Sequence, residues 1–319
     1  MIDTFEKDID RGLSSTPKTL PSKYFYDEIG DELFVKIMHS EEYYLTRAEL
    51  DIFENKTQEI IESLQLDKNT YFELIELGAG NGLKTKKLLK LLSDQNYQFD
   101  YLPVDISQNS LDILKESINR ELPKVSIQTK QGDYFKVMES LKESRHQKIV
   151  LFLGSNLGNM PDKIAAEFVY NLGQNLNVND KLLIGADLIK SKEIVAPAYN
   201  DSKGYTRAFN LNLLARINKE LNADFDIHNF QHLPEYEESE GIAKSFLVST
   251  IKQRVYIKKI NKTFHFEEGE KIATEVSRKY NDKILQEIIK DADFVIHSKL
   301  TDSKNYFADY ILKRTKSSQ

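Results

Sequence analysis

The sequence predicts an α/β fold with a doubly wound, mostly parallel sheet, and three observations predict it. An apolar stretch at 71–77 is typical of a buried strand, and it runs into a glycine cluster at 78–82. A leucine stripe among lysines at 83–92 then indicates an amphipathic helix. Further strand-like and helical runs alternate along the chain at 99–106, 107–121, 148–153, 163–176 and 181–187. Ligands bind such sheets at the carboxyl ends of the strands, where glycines let the backbone approach closely.

The glycine cluster has the spacing G-x-G-x-G, and its surroundings indicate which ligand it suits. A dinucleotide fingerprint needs G-x-G-x-x-G and a P-loop ends in Gly-Lys-Ser/Thr, and this cluster has neither. Glu76–Gly82 is instead similar to the first motif of class I S-adenosylmethionine (SAM) methyltransferases. Asp105 ends the next strand, where α/β nucleotide folds place an acid for ribose hydroxyls. Asp133 follows a third strand-like stretch at 124–130, where that class holds adenine. The three elements favour a SAM site, with an ordinary glycine-rich turn as the alternative.

The composition limits the classes of partner. The net charge of −6 and the scattered lysines argue against a nucleic-acid surface. The chain has no cysteine, no dense His/Asp cluster for a metal and no apolar run of membrane-spanning length. The first residues lack the pattern of a signal peptide. We therefore expect a soluble, cytoplasmic, monomeric protein that acts on a small molecule without a metal.

The rest of the chain predicts an interrupted sheet domain. Residues 1–22 are polar, with loop signals at Ser14-Ser15-Thr16-Pro17 and Leu20-Pro21-Ser22. Residues 47–65 are expected to be one amphipathic helix. Ser107 is a candidate N-cap. After Pro197 the pattern changes, and the expected elements are a helix at 205–221, strands at 225–232 and 245–257, a strand at 263–266 paired with the second of these, a helix at 281–291, and strands at 292–299 and 305–313. The last two strands predict an antiparallel pair at the sheet edge, so residues 199–280 are expected to be an insertion.

Eight motifs in order carry a resemblance to one family. They are FYDEIGDELF, EEYYLTRAE, ELGAGNGLKT, PVDIS, GDYF, FLGSNLGN, AYND with the following FNLNLLARIN, and GEKIATEVSRKY. With them the chain resembles the histidine-specific SAM-dependent methyltransferases, the L-histidine Nα-methyltransferases that make hercynine on the way to ergothioneine. The resemblance implies a substrate-binding domain of residues 1–53 and 199–280. It implies a class I methyltransferase domain of residues 54–198 and 281–319.

The resemblance also implies roles for individual residues. Those that it assigns to SAM are Gly78, Lys84, Asp105 and Asp133. Those that it assigns to the amino-acid substrate are Tyr26, Tyr43, Asn159, Tyr199, Glu275 and Ser277. Tyr26 and Asn159 are its catalytic residues, and Glu275 with Ser277 holds the imidazole. A carboxylate suits an imidazole N–H, and tyrosine faces suit the cation that grows as methyl groups are added.

One position departs from the family pattern. Close relatives show EMHLVS before the late strand, whereas this chain has Lys244-Ser245-Phe246-Leu247-Val248-Ser249. The methionine shapes the side-chain pocket in the family, and Ser245 is smaller and more polar. From the residues alone, Glu275 is expected to be a solvated acid at a helix start. Three functions follow: methylation of histidine up to the trimethyl product, a methyltransferase of the same fold for another amino acid or small amine, or a catalytically silent SAM-fold binding protein.

Overall fold

The computed structural model describes residues 4–142 and 144–316; residues 1–3 and 317–319, at the ends of the predicted domains, lie outside the described residues. The chain divides into two compact units. The larger unit comprises Leu45–Ile189 and Arg278–Gln319, and the smaller unit comprises Met1–Tyr44 and Lys190–Ser277. Each unit is therefore built from two separate chain segments.

Within the described residues there are eleven α-helices. They are α1 (Thr4–Ser14), α2 (Glu28–Met38), α3 (Leu45–Asn55), α4 (Thr57–Leu64), α5 (Thr85–Asp94), α6 (Gln108–Glu121), α7 (Tyr134–Ser140), α8 (Asp162–Gly173), α9 (Lys192–Ala198), α10 (Tyr205–Leu221) and α11 (Asp282–Ile289). Short 3₁₀ turns precede several elements, and the one at Asn156–Asn159 follows a central strand of the larger unit.

The same residues form fourteen strands. They are β1 (Lys18–Thr19), β2 (Phe72–Leu77), β3 (Phe99–Asp105), β4 (Ser126–Ile127), β5 (Lys130–Gln131), β6 (Gln147–Phe152), β7 (Lys181–Asp187), β8 (Phe230–Glu237), β9 (Ile242–Ser249), β10 (Gln253–Ile257), β11 (Lys262–Phe266), β12 (Lys271–Arg278), β13 (Phe294–Thr301) and β14 (Phe307–Arg314).

The larger unit contains one mixed sheet in the order β13-β14-β7-β6-β2-β3-β4, with β5 also paired to β3. The pairs among β2, β3, β6 and β7 are parallel, whereas β14 is antiparallel to both β7 and β13. Every residue of β2 is buried, since Phe72 and Leu74 pack in one apolar cluster and Ile75 and Leu77 in another. Burial on both faces explains the continuous apolar run in the sequence. The predicted α/β fold and its antiparallel closing pair are confirmed.

The smaller unit contains a four-stranded sheet in the order β1-β12-β9-β8 and a separate hairpin of β10 and β11. Strand β1 pairs in parallel with β12, so that Lys18 lies opposite Ile272. Helix α10 packs against α2 and β8. Its residues Phe209, Leu213 and Ile217 belong to the apolar core of this unit. The core thus joins residues from both chain segments.

Several elements differ from the sequence prediction. The polar stretch at 1–22, for which no helix was predicted, contains α1, in which Phe5, Ile9 and Leu13 form a buried stripe at helical spacing. The expected single helix at 47–65 is two helices, and at the break the Thr57 hydroxyl donates to the Phe53 carbonyl.

The prediction of the later strands is wrong in detail. The strand expected at 225–232 begins at Phe230, after a 3₁₀ turn that Asp226 caps. The strand expected at 245–257 is two strands in different sheets, separated by a turn in which the Ser249 hydroxyl donates to the Ile251 carbonyl at 2.8 Å. The pairing of β10 with β11, the helix 205–221 and the Ser107 cap are confirmed.

Candidate active site

The glycine cluster forms the predicted turn between β2 and α5. Gly78 has a φ of +74°, and its N–H donates to the Val104 carbonyl of β3 at 2.9 Å. A Cβ at this residue would lie 2.7 Å from the hydroxyl oxygen of Tyr134. Glycine is therefore required here both for the left-handed backbone and for the close approach of that tyrosine.

Asp105 and Asp133 lie beside this turn in the larger unit. Asp105 ends β3, and its backbone carbonyl accepts the Gly132 N–H at 3.0 Å. Asp133 follows directly and caps α7 with its carboxylate. Desolvation, and then the charges of Asp105 and Asp133, raise the pKa of Tyr134 to about 12. The structure therefore groups Gly78, Asp105 and Asp133 around Tyr134, a residue that sequence reasoning missed although it lies within the GDYF motif.

Lys84 is the N-cap residue of α5 and forms an ion pair with Glu49 of α3. The two carboxylate oxygens of Glu49 also accept the Gly154 N–H, at 2.9 and 3.0 Å. Glu49 is only 1% exposed, whereas the Lys84 side chain retains 20% of its exposure. This buried carboxylate was not a candidate site residue in the sequence, although it lies in the motif EEYYLTRAE.

Glu76, the acid that precedes the glycines, is buried within the larger unit. Its carboxylate accepts hydrogen bonds from the hydroxyls of Tyr101 and, at 2.7 Å, of Thr85. Burial raises the pKa of Glu76 to about 7, although the two hydroxyls act in the opposite direction. Glu76 therefore ties β2 to β3 and to the first turn of α5, and so fixes the two ends of the glycine turn.

In the smaller unit, Tyr26 and Tyr43 belong to one aromatic cluster. Phe34 lies edge-to-face against both rings, with centroids 5.5 Å from Tyr26 and 6.2 Å from Tyr43. Phe209 of α10 packs against Tyr26 at 5.6 Å. Tyr26 remains 46% exposed, so part of its ring is accessible. The cluster thus presents a tyrosine held by apolar rings.

Glu275 and Ser277 lie on β12, two residues apart, which places both side chains on the same face of the strand. The interpretation of Glu275 as a solvated acid at a helix start is wrong, because the residue is half-buried in a sheet. The Ser245 hydroxyl of β9 donates to Glu275 Oε2 at 3.0 Å. Desolvation, followed by the charges of Glu275 and Asp31, raises the pKa of Tyr26, so Glu275 lies within electrostatic reach of that hydroxyl.

Tyr199 directly follows α9 in the smaller unit and is buried. It lines a cavity of about 300 Å³ between α9 and β8 whose lining includes Lys192 and Tyr236. In the larger unit, Asn159 is exposed at the end of the 3₁₀ turn after β6. Asn156, at the start of that turn, lies close to the positions that Cβ atoms would take at both Gly78 and Gly154.

The larger unit fits the demands of SAM. A carboxylate, Asp105, and a partly exposed cation, Lys84, flank a glycine turn at the carboxyl ends of β2 and β3. The Asp105 carboxylate suits the hydroxyls of a ribose, and the Lys84 ammonium suits the carboxylate of a methionyl group. Across residues 4–142 and 144–316, no group of three or more His, Asp or Glu side chains is arranged to hold a metal. None of the helices in the described part of the chain is long and apolar enough to cross a membrane.

This sheet order, with a glycine turn after the first strand and an acid after the second, defines a class I SAM-dependent methyltransferase. The profile of the family described as "Histidine-specific methyltransferase, SAM-dependent" matches residues 5–314. The chain belongs to that family.

Individual relatives agree with the family match. A histidine N-alpha-methyltransferase of Mycolicibacterium smegmatis is 35% identical over 280 residues, which cover 87% of this chain and 85% of the relative. The protein of the same name from Mycobacterium tuberculosis is 36% identical over 274 residues, with 86% and 84% covered. Ergothioneine biosynthesis protein 1 of Schizosaccharomyces pombe is 31% identical over 304 residues, which cover 92% of this chain and 39% of that protein.

Proposed function

We propose that this enzyme transfers methyl groups from SAM to the α-amino nitrogen of L-histidine, up to Nα,Nα,Nα-trimethylhistidine (hercynine), as in ergothioneine biosynthesis. Membership of the histidine-specific family supports this function. The observation that carries it within the structure is Glu275, a half-buried carboxylate on β12 that a buried serine hydroxyl holds in place. A fixed acceptor of this kind suits the N–H of an imidazole.

The transfer is an in-line displacement. The neutral amine forms a bond to the methyl carbon as the carbon–sulfur bond breaks, and S-adenosylhomocysteine leaves. The methylated ammonium then releases a proton before the next transfer. Alignment of nitrogen, carbon and sulfur supplies most of the rate through proximity. The step balances in atoms and charge without a metal ion.

Tyr26 and Asn159 are proposed to hold the α-amine. The raised pKa of Tyr26 keeps its hydroxyl protonated near neutral pH, so this residue can hydrogen-bond to the amine but does not act as a phenolate base. With Tyr43 it offers ring faces to the growing cation, each worth about 0.5–2 kcal/mol. Tyr199 and Asn159 are proposed to contact the substrate carboxylate, and Ser277 to bind the imidazole together with Glu275.

SAM binding is proposed for Gly78, Lys84, Asp105 and Asp133. Their placement supports this assignment, because Gly78, Asp105 and Asp133 lie at or just after the carboxyl end of a strand and Lys84 lies at the N-terminus of the helix that follows the glycine turn. We accordingly assign SAM binding to the larger unit and amino-acid binding chiefly to the smaller one. We further propose that the enzyme works as a monomer in the cytoplasm, and its acidic charge gives no reason to expect a nucleic-acid partner.

The test is an incubation of the enzyme with SAM and each of the twenty amino acids, followed by mass spectrometry. We expect mono-, di- and trimethylhistidine as the major products, with all methyl groups of each product on a single nitrogen. An Asp105→Ala variant is the control, since it should lose methylation of every substrate. Preferred methylation of another amino acid would replace histidine as the substrate but keep the methyltransferase. Failure of all twenty substrates despite SAM binding would refute the proposed function.

A further inference from the structure

Glu49 is a buried charge for which no role has been assigned so far. It lies on α3, which packs against β14 and α5 in the larger unit. Its carboxylate reaches the carboxyl ends of the central strands, where it binds the Gly154 N–H and the Lys84 ammonium. One side chain thus joins the loop after β6 to the start of α5.

The backbone around Glu49 leaves room for its carboxylate. A Cβ at Gly185, in the middle of β7, would lie 2.1 Å from Glu49 Oε1 and 3.2 Å from the Gly154 nitrogen. Any other residue at 185 would therefore displace the carboxylate. Gly154 itself has a φ of +74°, a conformation that suits glycine and aims its N–H at Glu49.

The charges around Glu49 indicate which group balances it. Asp309 lies opposite Gly185 in the neighbouring strand and is completely buried, and neither carboxylate oxygen has a hydrogen-bond partner among the described residues. Burial, and then the nearby Glu49 charge, raise the pKa of Asp309 well above its usual range. The Lys84 ammonium is the cation that pairs directly with the Glu49 carboxylate. A buried carboxylate without such a partner would be costly.

We propose that Glu49 is a positioning residue for SAM, which holds the Lys84 ammonium so that its remaining N–H donors meet the carboxylate of the methionyl group. An ammonium has three donors on a flexible stem, and one of them is used by Glu49. The Lys84 side chain is 20% exposed, so it is accessible in part, and the proposal directs its other donors toward the ligand. This inference rests on the proposed function, since it takes Lys84 as a SAM contact.

The alternative is that Glu49 only fastens α3 to the sheet, and two ligands distinguish the cases. S-adenosylhomocysteine carries the methionyl carboxylate, whereas 5′-methylthioadenosine has the same adenosine but lacks that carboxylate. Calorimetric titration with both ligands should be made on the wild type, Glu49→Gln, Lys84→Met and the double variant. Lys86→Met is the matched control, because Lys86 lies on the same helix but pairs with Glu121 on the surface.

We expect Glu49→Gln to weaken S-adenosylhomocysteine binding about tenfold, the scale of one charge-assisted hydrogen bond, and to leave methylthioadenosine binding unchanged. In the Lys84→Met background the Glu49→Gln change should have no further effect. Lys86→Met should alter neither affinity. Glu49→Asp, which keeps the charge but withdraws it by one methylene, should show the same ligand selectivity if the glutamine variant does not fold.

Equal losses for both ligands would overturn the proposal and leave Glu49 a structural residue. Additive effects of the two substitutions, or unchanged S-adenosylhomocysteine affinity in Glu49→Gln, would overturn it as well. None of these results contradicts the proposed function, provided that the wild type binds S-adenosylhomocysteine. Absence of binding to the wild type would instead refute the SAM site itself.

Discussion

Ser245→Ala isolates the hydrogen bond that holds Glu275. The Ser245 hydroxyl lies 3.0 Å from Glu275 Oε2, and the serine is completely buried. Alanine removes one oxygen and keeps the rest of the side chain. The bond between the Thr274 hydroxyl and the Ser245 carbonyl, at 2.9 Å, remains, so the pairing of β9 with β12 should persist.

The size of the effect follows from that contact. A hydrogen bond to a charged acceptor contributes about 1.5–3 kcal/mol. Glu275 is only half-buried, so water replaces part of the lost contact and the lower end of that range applies. We therefore expect kcat/KM for histidine to fall about tenfold. Most of the change should be in KM, because the imidazole is bound alike in the ground state and the transition state.

The assay is steady-state kinetics with histidine, together with calorimetric titration of S-adenosylhomocysteine. Ser245→Ala should leave the affinity for S-adenosylhomocysteine unchanged. A cycle with Glu275→Gln should show coupling, since the two residues share one contact. Unchanged histidine kinetics in Ser245→Ala would refute the reasoning, and so would an equal loss of cofactor affinity.

Three further changes test other parts of the molecule. Asp105→Ala should weaken S-adenosylhomocysteine binding by the loss of two hydroxyl contacts of roughly 1.5–3 kcal/mol each, and an unaltered calorimetric affinity would contradict the ribose assignment. Glu275→Ala should lower kcat/KM for histidine by roughly tenfold to a hundredfold but leave tryptophan turnover nearly unchanged; equal losses for both amino acids would point to a structural role. The raised pKa of Asp309 means that this group favours folding most below its unfolded pKa of about 4 and progressively less at higher pH. Asp309→Asn should therefore gain stability over the wild type as pH rises above about 4 in urea unfolding, and a constant difference would argue against a raised pKa of Asp309.

Local signals in the sequence were sufficient to predict the central strands and the glycine turn of the larger unit. The run at 71–77 is buried on both faces, and Gly78 follows it where the backbone turns, so the strand and its loop are visible in the residue order. The position of Asp105 at a strand end is likewise visible in the residue order, since Asp105 ends the strand-like run of β3. The first helix was missed because Phe5, Ile9 and Leu13 are sparse among charged residues and gain their burial from the core of the folded unit.

Contacts between distant strands were beyond the reach of pattern analysis. The strand position of Glu275 depends on its neighbours β1 and β9, and Ser245 lies 30 residues away from it in the chain. The burial of Glu49 depends in the same way on Gly154, which is 105 residues away. Both residues lie within the family motifs of the sequence. Their partners, however, are distant in the chain, and such contacts leave no periodic pattern in the nearby residues.

The pairing of β1 with β12 has a consequence for the order in which the protein matures on the ribosome. Lys18 forms an ion pair with Glu270, 252 residues later, and Phe5, Ile9 and Leu13 share a core with Ile272. Helix α1 is therefore made long before β12, and part of its apolar stripe stays uncovered until β12 has been made. Contacts this distant form slowly, and exposed apolar surface favours aggregation in the meantime. A nascent chain arrested before residue 270 should thus be cut by protease within its first 44 residues, whereas the released chain should resist cleavage there.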